Sequence, residues 1–186
     1  MAGPPVVRRV ILWGLAIVLL LYAALFAISI IYPIGSTAEI RSVSEAYALD
    51  PALVASVVRW ESRFRSDAVS PRGAIGLMQI MPETGAWIAE QLGVGGFTTD
   101  DLLDPEVNLQ LGTWYLRSLL DRFENLEDAL AAYNAGPSRL EAWRSTGEAP
   151  FPETSTYVKR VLASVPVYRV ILRVPWLYEI VPAPPL

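Results

Sequence analysis

The 186-residue chain has no cysteine and no histidine, and its single lysine is Lys159. Lack of cysteine rules out a disulfide framework and a lipid-modified cysteine. With histidine missing as well, Ser-His-Asp and Cys-His nucleophilic sites and the usual zinc ligand sets are excluded. Hydrolytic or transfer chemistry is left with carboxylates, hydroxyls, amides or Lys159. No long stretch alternates with period two, and the β-branched residues are not grouped into strands, so a sheet is not expected. There are no internal repeats and no low-complexity runs.

Charge is missing from one long segment. Val10 to Ile31, VILWGLAIVLLLYAALFAISII, is 22 residues without Asp, Glu, Lys or Arg, the length that crosses bilayer hydrocarbon at about 1.5 Å per residue. Arg8 and Arg9 precede it, and the positive-inside rule then places residues 1–9 in the cytoplasm and the rest outside. The run is longer than the roughly 7–15 apolar residues of a cleaved signal, and no A-x-A-like site follows. Beyond residue 35 lie thirteen basic and all nineteen acidic residues, a formal charge of −6, which argues against a nucleic-acid partner. A single-pass membrane protein is expected, with transmembrane helix 10–31, short linker 32–37, an extracytoplasmic domain 38–173 and a Pro-rich apolar tail 174–186.

The exported part reads as all-α. LDPALV and LDPEVN each set Asp (Asp50, Asp104) at an N-cap and Pro (Pro51, Pro105) at the first helical position, where a missing N–H costs nothing. Ser36 and Glu39 have capping-box spacing. Pro82 opens a helix that Gly93 stops. Helices are expected near 37–48, 51–63, 82–92, 105–123, 126–134, 137–145 and 155–173. Between the second and third of these, RSDAVSPRGAIGLMQI reads as a loop that enters the core.

One residue breaks the pattern. Val54, Val57 and Val58 form an i, i+3, i+4 apolar stripe, and its i+7 position is Glu61. Burying an unpartnered carboxylate costs several kcal/mol, so such a group is paired, kept protonated by a raised pKa, or used as an acid. Asp67 and Glu83 are the rivals for a second carboxylate. Their plainer readings are a solvated loop aspartate and a first-turn glutamate favoured by the helix dipole.

ESRFRSDAVSPRGAIGLMQIMPETG, DPEVNLQLGTWYLRSLLDRF, ALAAYNAGPSRLEAW and ETSTYVKRVL resemble, in order, the successive motifs of the soluble lytic transglycosylase family, over roughly Val43 to Leu172. The resemblance implies a helical lysozyme-like fold. It also implies cleavage of the β-1,4 bond between N-acetylmuramic acid and N-acetylglucosamine in peptidoglycan glycan strands, with 1,6-anhydro products and neither metal nor cofactor. The family's catalytic glutamate falls on Glu61 and a sugar-contacting serine on Ser70. Met78 and Gln79 match LMQ, which lines the cleft. Tyr133 and Asn134 match the saccharide-binding face, Glu153 the cleft border, and Tyr157 a hydrogen-bond partner of the catalytic carboxyl. Taken without the resemblance, Ser70 is a turn former before Pro71, Gln79 a satisfied core amide, and Glu153 a helix-start residue. Trp60, Trp87, Trp114 and Trp143 are of a type that stacks on sugars, but their helical spacing places most of them in the core. Other functions to weigh are a goose-type-lysozyme-like hydrolase and a non-catalytic wall-binding module of an envelope assembly.

Overall fold

Proline at the first helical position sets most of the helix starts. In the computed structural model, which describes residues 5–34 and 37–173, α1 runs Pro5–Ile31, α2 Thr37–Ala46 and α3 Pro51–Glu61. α4 follows at Pro82–Gln91, a 3-10 helix at Thr99–Leu103, and α5 at Pro105–Phe123. The chain continues with α6 (Leu126–Ala135), α7 (Pro137–Thr146) and α8 (Pro152–Arg173). Asp50 Oδ1 accepts from the Ala52 N–H, and Asp104 Oδ1 from those of Glu106 and Val107, satisfying donors that the first turn leaves open. No β-strand occurs among the described residues, only isolated bridges within the 62–81 loop. The Ser36 half of the expected capping box and the 174–186 tail lie outside the described residues.

Two elements differ from the sequence expectation. The 3-10 helix is additional, held by a capping box in which Asp101 Oδ2 accepts from the Thr98 N–H. α8 starts at Pro152 rather than near 155. That is the Pro-first rule again, here with Phe151 in place of a capping residue before the proline.

α3 is the centre of the domain. Ala52 through Val58 are all buried, so the helix is enclosed on every side rather than along one stripe. α8 packs along it more extensively than any other pair of elements. Ile40 from α2, Leu109, Leu111 and Leu116 from α5, and Val161 and Tyr168 from α8 complete this core. A smaller cluster built on Leu119, Phe123, Ala132, Leu140 and Trp143 holds α5, α6 and α7 together.

α1 is almost wholly exposed along its length except at its end. Arg59 Nε donates to the Ile31 carbonyl at 2.8 Å, which caps the negative end of the α1 dipole with a cation. Tyr168 Oη donates to the Pro33 carbonyl at 2.9 Å, and its ring stands edge-on to Tyr32. Residues 32–34, expected as linker, therefore pack against the core.

The 62–81 loop has little regular structure, so its backbone groups need partners from elsewhere. Asn108, buried on α5, supplies two, and ties the 3-10 helix to the same point with a third bond. Its Oδ1 accepts from the Met78 N–H at 2.7 Å, and its Nδ2 donates to the carbonyls of Ile75 and Leu102 at 2.9 and 2.8 Å. Gly76 lies against this amide with φ +81°, and any Cβ there would collide with the Asn108 side chain and the Leu102 carbonyl. Asn108→Leu strands one buried N–H and two buried carbonyls, each costing about 1–3 kcal/mol. The expected result is a melting temperature lower by about 10 °C or more, measured by far-UV circular dichroism in detergent.

Candidate active site

α3 ends at Glu61, the one acidic residue of its last turn. Beyond Glu61, Ser62 closes the helix through its N–H to the Val58 carbonyl, and its hydroxyl donates to the Leu77 carbonyl at 2.8 Å. Arg63 and Phe64 then take left-handed backbone, φ +57° and +66°, and reverse the chain. Such residues cost about 1–2 kcal/mol each; the buried Phe64 ring, tilted against Tyr168, holds the reversal in place. This sharp stop leaves the Glu61 side chain at the mouth of a cavity of about 840 Å³.

Glu61 is half-buried at the cavity wall. Its carboxyl is pushed up to about 7, mainly because the surrounding protein withholds the water an anion needs. The carbonyl end of α3 acts in the same direction, since it disfavours a negative charge. Tyr157 opposes part of the rise by hydrogen bonding to the carboxylate. Yet the Tyr157 hydroxyl is buried without a partner at ideal geometry, so the contact is loose at rest. Contacts of this kind tighten when substrate arrives. Burial and the Glu61 charge raise Tyr157 and Tyr133 well above the usual phenol range, and both remain O–H donors throughout the physiological range.

The remaining cavity wall comes from three segments. Ser70 sits in a turn where its Oγ accepts from the Ala74 N–H at 3.0 Å, which leaves the hydroxyl proton to donate. Gln79 has φ +49°; its Nε2 donates to the carbonyls of Ala68 and Gly76 at 3.1 and 2.9 Å, leaving the amide oxygen for the cavity. Asn134 Oδ1 accepts from Thr154 Oγ1 at 2.9 Å, which fixes the amide and leaves its N–H groups for a ligand. Tyr133 Oη donates to the Met78 carbonyl at 2.8 Å. Glu153, exposed at the rim, faces Arg72 across 4.0 Å.

Seven of the eight expected site residues therefore line one cavity: Glu61, Ser70, Gln79, Tyr133, Asn134, Glu153 and Tyr157. Met78 does not. Its side chain is 0% exposed and packs on Gly112, where no Cβ would fit, and beside Thr113. Its part is to hold Tyr133 through its carbonyl. Neither rival carboxylate lines the cavity: Asp67 is exposed on the loop and Glu83 faces a neighbouring groove. Sequence reasoning missed Asn108, although the signal was present. It occupies the first place of an i, i+3, i+4, i+7 series with Leu111, Gly112 and Tyr115, just as Glu61 ends the series on α3. Trp60 also lines the cavity; its Nε1 donates to Ser164 Oγ and the guanidinium of Arg160 lies 5.0 Å from its ring centre. Among the described residues no group of three acidic, histidine or cysteine side chains is placed to hold a metal ion.

The transglycosylase SLT domain family model matches residues 39–153. The soluble lytic murein transglycosylase of Escherichia coli is 37% identical over 142 residues, covering 69% of this chain and 21% of that protein. Membrane-bound lytic murein transglycosylase C of Glaesserella parasuis is 36% identical over 107 residues, 52% of this chain and 29% of that one. Among solved structures, an inactive glutamate-to-glutamine mutant of lytic transglycosylase Slt from Pseudomonas aeruginosa superposes with a TM-score of 0.72 at 32% identity, over 78% of this chain and 26% of that one. The 70-kDa soluble lytic transglycosylase in complex with bulgecin A gives 0.69 at 33% identity, over 76% of this chain and 25% of that one. The chain thus spans about a fifth of the E. coli enzyme's length and about a quarter of the solved chains.

The raised Glu61 carboxyl has a consequence for stability. An acid whose folded pKa of about 7 exceeds its unfolded value of 4.5 carries no penalty below 4.5. The penalty grows as pH rises between the two values and is constant above 7, where it amounts to about 3 kcal/mol. Glu61→Gln removes it. The variant is expected to gain melting temperature over the parent as pH is raised from 4.5 to 8, with no further gain above, measured by thermal scans across that range.

Proposed function

The chain belongs to the transglycosylase SLT domain family, and on that premise we propose that it is a peptidoglycan lytic transglycosylase in which Glu61 acts first as acid and then as base. The observation that carries this reading is a carboxyl with a pKa of about 7 at the wall of a polar cavity. Such a group is protonated often enough near neutral pH to donate, and basic enough afterwards to accept.

In this reading the protonated Glu61 delivers its proton to the glycosidic oxygen between N-acetylmuramic acid and N-acetylglucosamine, and the C1–O bond breaks. The carboxylate then takes the proton of the muramyl C6 hydroxyl as that oxygen bonds to C1, closing a 1,6-anhydro ring without taking up water. The internal hydroxyl has the advantage of proximity over a free water. The Tyr157 hydroxyl stabilises the carboxylate between the two steps. Ser70, Gln79 and Asn134 offer one hydroxyl proton, one amide oxygen and amide protons to the sugar, and Tyr133 closes the wall behind them. Glu153 is the only other carboxylate at the cavity among the described residues, and its exposed place beside Arg72 suits the rim better than activation of water. The goose-type hydrolase differs at this point, because it needs a second acid to prepare water.

The same proposal includes the location. α1 carries a 26-residue apolar stretch, Val6–Ile31, long enough to cross a bilayer, with Arg8 and Arg9 near its start. The reading is a single pass through the cytoplasmic membrane, with the N-terminus inside and the cavity on the outer side. A relative named as membrane-bound supports anchoring.

Three outcomes are expected. Glu61→Gln lowers lysis of purified sacculi by at least about 100-fold while remaining folded. Parent activity falls about tenfold per pH unit above 7, as the acid form is lost. Mass analysis finds 1,6-anhydro ends that resist borohydride; reducible ends carrying oxygen from labelled water would assign a hydrolase instead. For the location, the full-length chain is expected to stay with membranes after an alkaline wash, with its domain cut by external protease in spheroplasts. A soluble chain starting near residue 32 would show a cleaved signal.

A further inference from the structure

α1 does not hang from the domain on a free tether. Arg59 donates to the Ile31 carbonyl, and Tyr168 donates to the Pro33 carbonyl and meets the Tyr32 ring edge-on, so the end of the apolar span is fastened to α3 and α8. Ser29, in the last two turns of α1, is buried against this fastening.

The residues beside the fastening are cations. From 59 to 65 the sequence RWESRFR holds three arginines and the single acid Glu61. Arg63 and Arg65 are exposed on either side of Phe64, whose ring centre lies 6.0 Å from that of Tyr168. Across the Trp60 ring, the guanidinium of Arg59 lies 5.1 Å from the ring centre and that of Arg160, exposed on α8, 5.0 Å. None of these four arginines forms an ion pair among the described residues; the ion pairs are made by Arg72, Arg117, Arg122, Arg144 and Arg169. Arg59 Nη1 is also buried without a hydrogen-bond acceptor. Acids are not scarce, since the chain beyond residue 35 carries a formal charge of −6. Four guanidiniums are thus left without carboxylates in the one region where the membrane helix meets the domain.

That region has its own acceptors. The end of a membrane-spanning helix lies at the headgroup layer, where phosphate oxygens are abundant and tyrosine and tryptophan are the favoured aromatic residues. Arginine binds phosphate through its planar fork, and anionic headgroups draw juxtamembrane cations to the surface. We propose that Arg59, Arg63, Arg65 and Arg160, at the exit of α1, seat the domain on the anionic phospholipid headgroups of the membrane it spans. The inference rests on the membrane location read above and adds lipid composition as a determinant of how the domain lies. Trp60 and Arg160 also line the Glu61 cavity, so the seat holds that cavity beside the membrane surface, and the glycan that enters it is a strand lying along that surface.

A chain without cysteine accepts one label at a chosen place. Ala163→Cys, exposed on α8 one turn from Arg160, carries a bimane in the full-length chain reconstituted into vesicles, and lipids with a nitroxide headgroup quench a label close to the surface. Quenching should be at least about twofold stronger in vesicles containing phosphatidylglycerol than in phosphatidylcholine alone, and the difference should vanish in about 1 M salt, where the Debye length falls to about 3 Å. Arg63→Gln combined with Arg65→Gln should remove most of the difference, and Arg160→Gln should lower it independently if the loop pair folds poorly. The same label at Ala142→Cys, exposed on α7, which packs on α6, should show no such difference. Equal quenching at residue 163 in both lipids, or a difference that survives salt or the substitutions, would overturn the proposal. An equal rise at residue 142 would report a general approach of the domain to charged vesicles and overturn it too. Failure of the underlying location reading looks different: the chain does not float with vesicles of either composition after an alkaline wash.

Discussion

The cavity wall depends on one buried amide. Residues 62–81 bring Ser70 and Gln79 to the site, and the Met78 carbonyl receives the Tyr133 hydroxyl, but the segment makes only isolated bridges of its own. Asn108 reaches from α5 to hold it at Ile75 and Met78, and holds the 3-10 helix at Leu102 with the same side chain. A carboxylate could not replace it, because two of its three bonds are donated. Gly76 and Gly112 are the spaces this arrangement needs, one beside the amide and one beneath Met78. α6 is tied to the same point through Tyr133, so three helices and the loop share one polar anchor.

Against that anchor stands a carboxyl the fold would be more stable without. Burying the Glu61 carboxylate costs the fold about 3 kcal/mol above pH 7. One fully buried valine contributes roughly 1.5–3 kcal/mol, and Val54, Val57 and Val58 on the same helix are all fully buried. Two of the three offset the acid. Ala52 to Val58 are buried on every side, so the helix that carries Glu61 is held rigidly up to the turn that presents it. Rigidity and desolvation thus come from the same packing.

What the sequence discloses follows from which interactions are local. Caps at Asp50 and Asp104 and the prolines after them act within a few residues, and the helices start there. Glu61 was legible because a helix converts spacing into a face. Met78 was misplaced for the opposite reason: in the LMQ segment Gln79 takes a left-handed backbone, so neighbouring side chains follow no period, and Met78 turns to Gly112 instead of the cavity. Trp87 shows a third case. Its helical position is compatible with burial, and only the distance between α4 and α5, a tertiary quantity, leaves it open. Asn108 could have been found by treating a polar residue in an apolar series on α5 as was done on α3.

Gln79 sets a strained backbone against two hydrogen bonds. At φ +49° a glycine would sit without the steric cost of about 1–2 kcal/mol that a side chain brings, and Gly73 and Gly76 in the same loop already do so. The amide donates twice to loop carbonyls, which returns part of that cost. A glycine at 79 would spare the backbone cost, but it would take both amide donors from the loop and an amide oxygen from the cavity wall.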